Sequence, residues 1–325
     1  MFWVGCGLCL KKNSHKEALE QEWYVEYFRF IQLAGKRPRT EKCYLNWIRQ
    51  LSSHYPEHQM NELSRTQVLD YLLFLQRERQ LAPSTVNQAV QALKSFYMDH
   101  LGLKWRIWSK VHIKRREALP HVMSSSEVDL LLSSFRDGRY RAFFTVLYQC
   151  GMRINEAVRL HPQDIDGTRL IIRVRDGKGG MDREIPITPE LYTRLRTFWK
   201  WHRNPEFLFP APGRCWQQMG KSLSQALYEG THPIGKTPLR EAFNHVKHEC
   251  GLMKKHQRLT PHTLRHSFAT HMLEAGCTIK QLSLYLGHRD LRTTMVYLHL
   301  TEVSETKGRE ALQSLATGQK KKRRS

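Results

Sequence analysis

No stretch of this 325-residue chain is apolar for long enough to span a bilayer as a helix. The most apolar run, Met1 to Leu10 (MFWVGCGLCL), is about half a span. Lys11 and Lys12 follow it, whereas an export signal carries its positive residues first. The run reads as neither anchor nor export signal, and no membrane partner is expected. Cysteine is sparse and odd in number: seven residues, Cys6, Cys9, Cys43, Cys150, Cys215, Cys250 and Cys277, are scattered over the whole chain. That spread is no disulfide framework and points to a reducing cytoplasm. Cys6 and Cys9 form a lone C-x-x-C without a second half at zinc spacing, so no role is given to it. Acidic residues are also short, 30 against 52 Lys and Arg, which leaves a formal net charge of +22. What the chain does not lack is core material: 40% of it is hydrophobic and 10% aromatic, which excludes a disordered polycation. Its length suggests two domains. A basic surface attracts anionic membranes and, through counterion release, phosphate backbones. With no membrane segment present, nucleic acid is the partner to test.

The apolar pattern is helical over residues 21–105. Trp23, Tyr27 and Ile31 recur at helical spacing before Gly35 and Pro38; Tyr44, Trp47, Ile48 and Leu51 repeat the pattern. A capping box, Ser64-x-x-Gln67, opens a third helix with Val68, Tyr71, Leu72 and Leu75 on one face. Pro83 opens a fourth carrying Val86, Ala89, Val90, Leu93 and Tyr97, and four such helices can close a small bundle. Residues 106–120 form a basic connector with Lys110, Lys114, Arg115 and Arg116. It reads either as a solvated linker or as a segment that tracks DNA phosphates. A second domain is expected over 121–316. Its helices begin at the Ser124-x-x-Glu127 box, and its one β signal is a hairpin: Leu170, Ile172 and Val174 alternate, a turn of Asp176-Gly177-Lys178-Gly179-Gly180 follows, and Arg183, Ile185 and Ile187 alternate again. Residues 1–20 are unassigned, and 317–325, with the run Lys320 to Arg324, read as a basic, disordered tail. The class expected is mainly α with one small sheet.

The most informative segment is Leu259 to His271, LTPHTLRHSFATH. Thr260 suits a helix N-cap and Pro261 the first helical position, which puts His262 and Arg265 on one face of the first turn. Unsatisfied backbone N–H groups and the positive end of the dipole favour an anion there, and an imidazole with a guanidinium fork would complete a phosphate clamp. On its own, H-x-x-R could equally be a cap or an ion pair. Three further fragments stand with it: Arg153 after Gly151 with Glu156 one turn on, Leu286-Gly287-His288 closing a helix that the Thr278-x-x-Gln281 box opens, and Tyr297 nine residues after His288. Singly they read as a helix ion pair, a histidine after a C-cap glycine and a core tyrosine.

In this order the fragments resemble the tyrosine recombinase family, the lambda-integrase-like or phage-integrase-type site-specific recombinases. The resemblance runs through 120–300 and, more weakly, through the helical bundle. It implies an N-terminal four-helix SAM-like core-binding domain and an α+β catalytic domain. It also implies Arg153, Lys178, His262, Arg265 and His288 as the catalytic set, Tyr297 as nucleophile, and Glu156 as the carboxylate holding Arg153. Tyr297 would attack the scissile phosphate to give a 3′-phosphotyrosyl link and a free 5′-hydroxyl, with Lys178 as general acid and His262 assisting proton transfer. Arg153, Arg265 and His288 would hold the non-bridging oxygens. The chemistry needs cations where charge grows on phosphate and activation of a phenol whose ordinary pKa is near 10, and needs no ATP, cofactor or metal. Only about 70 residues lie between Ile187 and Pro261, where integron-type recombinases as a family carry an extra helical insertion, so that subtype is not expected. The chain thus resembles compact Xer-type and transposon-borne members. The partner implied is double-stranded DNA as paired core sites, held by a homotetramer of C-shaped clamps that exchanges strands through a Holliday junction, in the bacterial cytoplasm and on the nucleoid when bound.

Other readings remain. His262 and His266 share a helical face, but no H-E-x-x-H or cysteine cluster accompanies them, so zinc is not expected. His266, His271 and His299 read as packing or supporting residues. Two alternative functions use the same residues: type IB topoisomerase-like relaxation, or DNA binding without catalysis.

Overall fold

The helices form where the apolar spacing and the caps require them. The structure is a computed structural model that describes residues 23–109, 111, 113, 120–175, 182–255, 259–298 and 312–313. The chain divides into two compact units, Met1–Glu117 and Ala118–Ser325.

In the first unit, helix α1 spans 23–33. Helix α2 (Pro38–His54) starts on its proline, α3 (Arg65–Arg77) on the reciprocal Ser64–Gln67 box, and α4 (Pro83–Lys94) again on a proline. The last runs on into a π-helical turn, Ser95–His100. Tyr27, Ile31, Ile48, Leu51, Val68, Leu75, Val86, Leu93 and Tyr97 meet in one core. The Tyr97 hydroxyl donates to the Met60 carbonyl at 3.0 Å, so that ring carries its polar end into the core without loss. Trp108, at the start of the stretch read as a connector, lies in a 3₁₀ turn (Arg106–Ser109) and is buried against this same core. The Asn87 amide donates to the Ile113 carbonyl at 3.1 Å. Thus residues 106–113, where described, pack on the first unit. Lys110, Lys114, Arg115 and Arg116 lie outside the described residues.

The second unit opens with α5 (Ser125–Ser134), capped by the expected Ser124–Glu127 box, and α6 (Gly138–Gln149), capped by the Asp137 carboxylate, which accepts from the Arg139 N–H. A short α7 (Ile154–Val158) leads to an antiparallel sheet in the order β1 (Ile165–Asp166), β2 (Ile171–Val174), β3 (Arg183–Pro186). Ile172 pairs with Ile185 and Val174 with Arg183, so their inner faces join the core with Phe143, Phe144, Leu191, Phe209 and Phe243. Helices α8 (Pro189–His202), α9 (Leu223–Tyr228), α10 (Lys236–Glu249), α11 (Leu252–Lys255), α12 (Pro261–Glu274), α13 (Ile279–Leu286) and α14 (Arg292–Met295) follow. Among the described residues no helix is long and apolar enough to cross a membrane.

Candidate active site

The site is built where α7, α12, α13 and α14 converge, and two glycines make the approach possible. Gly151 has φ +55°, and a Cβ there would lie 2.3 Å from the Phe268 ring. Gly287 has φ +62°, and its Cβ would lie 2.9 Å from Arg183 Nη1. Both positions therefore exclude a side chain through backbone conformation and through space.

Arg153 is the N-cap of α7, and its own N–H donates to Glu156 Oε2 at 2.9 Å. Its guanidinium donates to Glu156 Oε1 at 2.8 Å and to the Gly287 carbonyl at 3.4 Å. Glu156 is buried beneath it. Burial alone would raise the carboxyl pKa, but the hydrogen bonds and charge of Arg183, with those of Arg153, lower it to about 2. Arg183, at the start of β3, grips both Glu156 oxygens, at 3.2 and 2.7 Å.

Helix α12 starts as the sequence suggests, with Thr260 at the N-cap and Pro261 at the first helical position, and the Thr260 N–H donates to Thr263 Oγ1 at 3.1 Å. Arg265 is 3% exposed. Its fork donates to the Gly151 carbonyl at 2.6 Å and to the Leu286 carbonyl at 2.7 Å, and reaches His288 Nε2 at 3.0 Å. Burial first, and then the nearby Arg153 charge, bring its pKa down to about 9. A guanidinium can only donate, so His288 Nε2 accepts; the ring proton then sits on Nδ1, which donates to Thr294 Oγ1 at 2.8 Å. Thr294 is fully buried, which fixes that ring from behind.

Tyr297 is 4% exposed. Its hydroxyl shares a 2.9 Å hydrogen bond with His266 Nδ1. Burial raises the phenol pKa, while the charges of Arg265 and Arg153 pull it down. The His266 pKa is lowered to about 4 by burial, His262 and Arg265, so that the ring is neutral at pH 7. His262 stands edge-on to His266, with ring centroids 5.3 Å apart. It reaches solvent, yet the surrounding protein, Arg265 and Arg153 still lower its pKa.

The structure thus brings Arg153, Glu156, His262, Arg265, His288 and Tyr297 together. Lys178 and His299 lie outside the described residues. Among the described residues no group of three or more His, Cys, Asp or Glu is arranged to hold a metal ion. Sequence reasoning missed Arg183 as a member of the site and gave His266 only a supporting part. A signal for Arg183 was present: it occupies an inward position of the alternation with Ile185 and Ile187, where a charge needs a buried partner. In the first unit, a groove of about 690 Å³ is lined by Arg37, Arg39, Tyr44, Asn87, Gln88 and Gln91, among others.

The family model of the phage integrase family matches residues 121–303, and that of the phage integrase N-terminal SAM-like domain matches 23–107. The chain is 32% identical over 305 residues to an integrase/recombinase of Escherichia coli, covering 85% of this chain and 89% of that one. It is 31% identical over 283 residues to the tyrosine recombinase XerA of Thermococcus onnurineus, covering 85% and 90%. Its fold resembles that of the Tn1549 transposon integrase in complex with transposon right end DNA, at a TM-score of 0.64 and 18% identity over 92% and 99% of the two chains. A lambda integrase dimer bound to a core site gives a TM-score of 0.65 at 12% identity, over 85% and 94%.

Proposed function

This chain belongs to the phage integrase family, and we propose from that membership and from its site that it is a site-specific DNA recombinase of a mobile element, which cuts and rejoins strands through a 3′-phosphotyrosyl intermediate. One observation carries the reading: two guanidiniums from different helices, Arg153 and Arg265, rest on the same 285–288 turn and both act electrostatically on the Tyr297 phenol. That is the charge arrangement a pentacovalent phosphate requires.

In this mechanism Tyr297 Oη attacks phosphorus while its proton passes to His266 Nδ1, the bond to the 5′-oxygen breaks, and Lys178 protonates that leaving oxygen. His262 assists proton transfer at the solvent side. Arg153 and Arg265 hold the non-bridging oxygens. His288, expected from the resemblance to hold a non-bridging oxygen as well, is given a different part here: it backs Arg265 as an acceptor, with its Nδ1 proton on Thr294. Rejoining is the reverse, with a 5′-hydroxyl as nucleophile, and the retained ester energy makes ATP unnecessary. No metal or cofactor takes part.

We assign the bundle at 21–105 to gripping duplex, with the α2–α4 groove as its contact face, and 121–316 to the chemistry. Lys110, Lys114, Arg115 and Arg116 contact phosphates in the connector between them. The active unit is a homotetramer on two core sites, in the bacterial cytoplasm and on the nucleoid when bound. The DNA complexes of the Tn1549 and lambda integrases support the choice of partner. Trapping on a nicked suicide substrate in EDTA tests the reading: the wild type gives a covalent protein–DNA adduct and Tyr297→Phe gives none. An adduct with the Phe variant would overturn the nucleophile, and a strict Mg²⁺ requirement would overturn the metal-free chemistry.

A further inference from the structure

Arg183 belongs to none of the motifs that carry the family resemblance, yet it touches the supports of both active-site arginines. Its Nη1 and Nη2 donate to Glu156 Oε1 and Oε2 at 3.2 and 2.7 Å, and its Nε donates to the Tyr285 carbonyl at 2.8 Å. Both side chains of the ion pair are nearly removed from solvent, at 8% and 6% exposure.

Each of these contacts leads to a different part of the site. Glu156 uses one oxygen on the Arg153 guanidinium and the other on the Arg153 backbone N–H. Fixing the carboxylate plane therefore fixes the direction in which Arg153 points. Tyr285 opens the turn whose Leu286 carbonyl holds Arg265, whose Gly287 carbonyl meets Arg153, and whose His288 ring accepts from Arg265. The turn passes so close that Gly287 has no room for a methyl group beside Arg183 Nη1, Cδ and Cζ.

We propose that Arg183 is a positioning residue for strand cleavage, setting Arg153 through Glu156 and Arg265 through the 285–288 turn, so that both forks meet one phosphate. Only a guanidinium does this. It offers a planar pair of donors to the carboxylate and a third, Nε, aimed elsewhere, whereas lysine offers a single point charge. The inference rests on the recombinase reading. A purely architectural role, an ion pair fastening β3 to α7, would support folding without bearing on phosphate neutralisation.

The test uses the full chain on a suicide substrate under single-turnover conditions at saturating DNA, with Arg183→Ala and Arg183→Lys beside the wild type. The scissile position is either the natural phosphodiester or a methylphosphonate, which lacks the charge the two forks neutralise. On phosphodiester, Arg183→Ala slows adduct formation by about 100-fold, the cost of roughly 1 Å of misplacement, while the Kd for DNA changes by less than about threefold. Arg183→Lys keeps the charge on Glu156 and recovers part of that loss. On methylphosphonate the wild-type to Ala gap shrinks to less than about tenfold, because the misplaced forks matter less there. An equal loss on both substrates, or a loss of rate matched by loss of DNA binding or of folded protein in both variants, would make Arg183 architectural and overturn the proposal. A wild type that forms no adduct on phosphodiester would instead overturn the recombinase reading, and this inference with it.

Discussion

Replacing Gly287 by Ala tests whether the 285–288 turn is as tightly determined as its contacts imply, and Gly276→Ala supplies the control. Both glycines have positive φ, +62° and +91°, so each alanine pays a backbone penalty of about 1–2 kcal/mol. They differ in what the new methyl meets. At Gly276 nothing lies within 4 Å, whereas at Gly287 the Cβ would sit 2.9 Å from Arg183 Nη1, 3.1 Å from Cδ and 3.2 Å from Cζ. Arg183 cannot swing aside freely, because its fork is bound to Glu156 and its Nε to Tyr285. Relief of the clash must loosen one charge-assisted hydrogen bond, at about 1.5–3 kcal/mol. The difference between the two variants is therefore about 2 kcal/mol, which for a unit of this size lowers Tm by roughly 4–8 °C more in Gly287→Ala than in Gly276→Ala. Thermal unfolding followed by circular dichroism reads the stability, and adduct formation on the suicide substrate reads the site. Cleavage by Gly276→Ala stays near the wild-type rate, and cleavage by Gly287→Ala falls at least about tenfold, one 1.4 kcal/mol step in the barrier. Equal melting temperatures and equal cleavage rates in the two variants would refute the reasoning, because the Arg183 contact would then contribute nothing.

Two further expectations concern histidines. His202 is 1% exposed and its pKa is lowered to about 4 by burial, so the folded chain keeps it neutral while the unfolded chain protonates it near 6.5. The unfolded state then binds more protons between pH 6.5 and 4, and stability falls as pH falls through that window, by about 1–2 kcal/mol at pH 5. Urea unfolding at pH 7.5 and 5 measures the drop, and His202→Gln should lose that part of it; an unchanged pH dependence would show that His202 titrates normally. His266→Ala removes the partner of the Tyr297 hydroxyl and slows adduct formation by about tenfold, the worth of one hydrogen bond. His266→Asn, which keeps a polar atom near Nδ1, loses less, and DNA affinity stays as in the wild type; equal cleavage by all three proteins would make the bond incidental to the reaction.

Local signals in the sequence were easy to read because their causes are local. The boxes at Ser64, Ser124 and Thr278 and the proline starts at Pro83 and Pro261 require only a few neighbouring residues, and the structure forms each helix there. Pro38, read only as closing the first helical run, also opens α2. The set Arg153, Glu156, His262, Arg265, His288, Tyr297 came from the order of the fragments and the family they resemble; local signals placed only some of its members, His262 and Arg265 in the first turn after Thr260 and His288 after Gly287. Long-range features were not. Strand β1 has two residues, too few for alternation to show, and it exists because Ile165 and Asp166 pair with β2. The π-turn at Ser95–His100 continues an ordinary helical pattern, and nothing in its composition distinguishes it. The roles of Arg183 and His266 depend on partners 27 and 31 residues away. A charge at an inward strand position announced a buried counter-charge without saying which one.

The buried network also changes the meaning of the +22 charge. Three guanidiniums, those of Arg153, Arg183 and Arg265, gather around a single carboxylate, Glu156. Their mutual proximity is visible in both directions: the carboxyl pKa is driven down to about 2, and the Arg265 pKa is lowered to about 9 by burial and Arg153. Among the described residues, one carboxylate against three guanidiniums leaves the pocket short of negative charge, and in a desolvated site that shortage is worth more than the same charge spread on the surface. Glu156 offsets enough repulsion for the arginines to pack, without neutralising them. An anion arriving between Arg153 and Arg265 thus completes a charge balance the fold leaves open, and the balance improves further as a phosphate gains charge on its way to five-coordination. A second carboxylate in the pocket would make the resting protein more comfortable and the reaction slower. The scarcity of acidic residues across the chain is repeated, in concentrated form, where a phosphate is to be held.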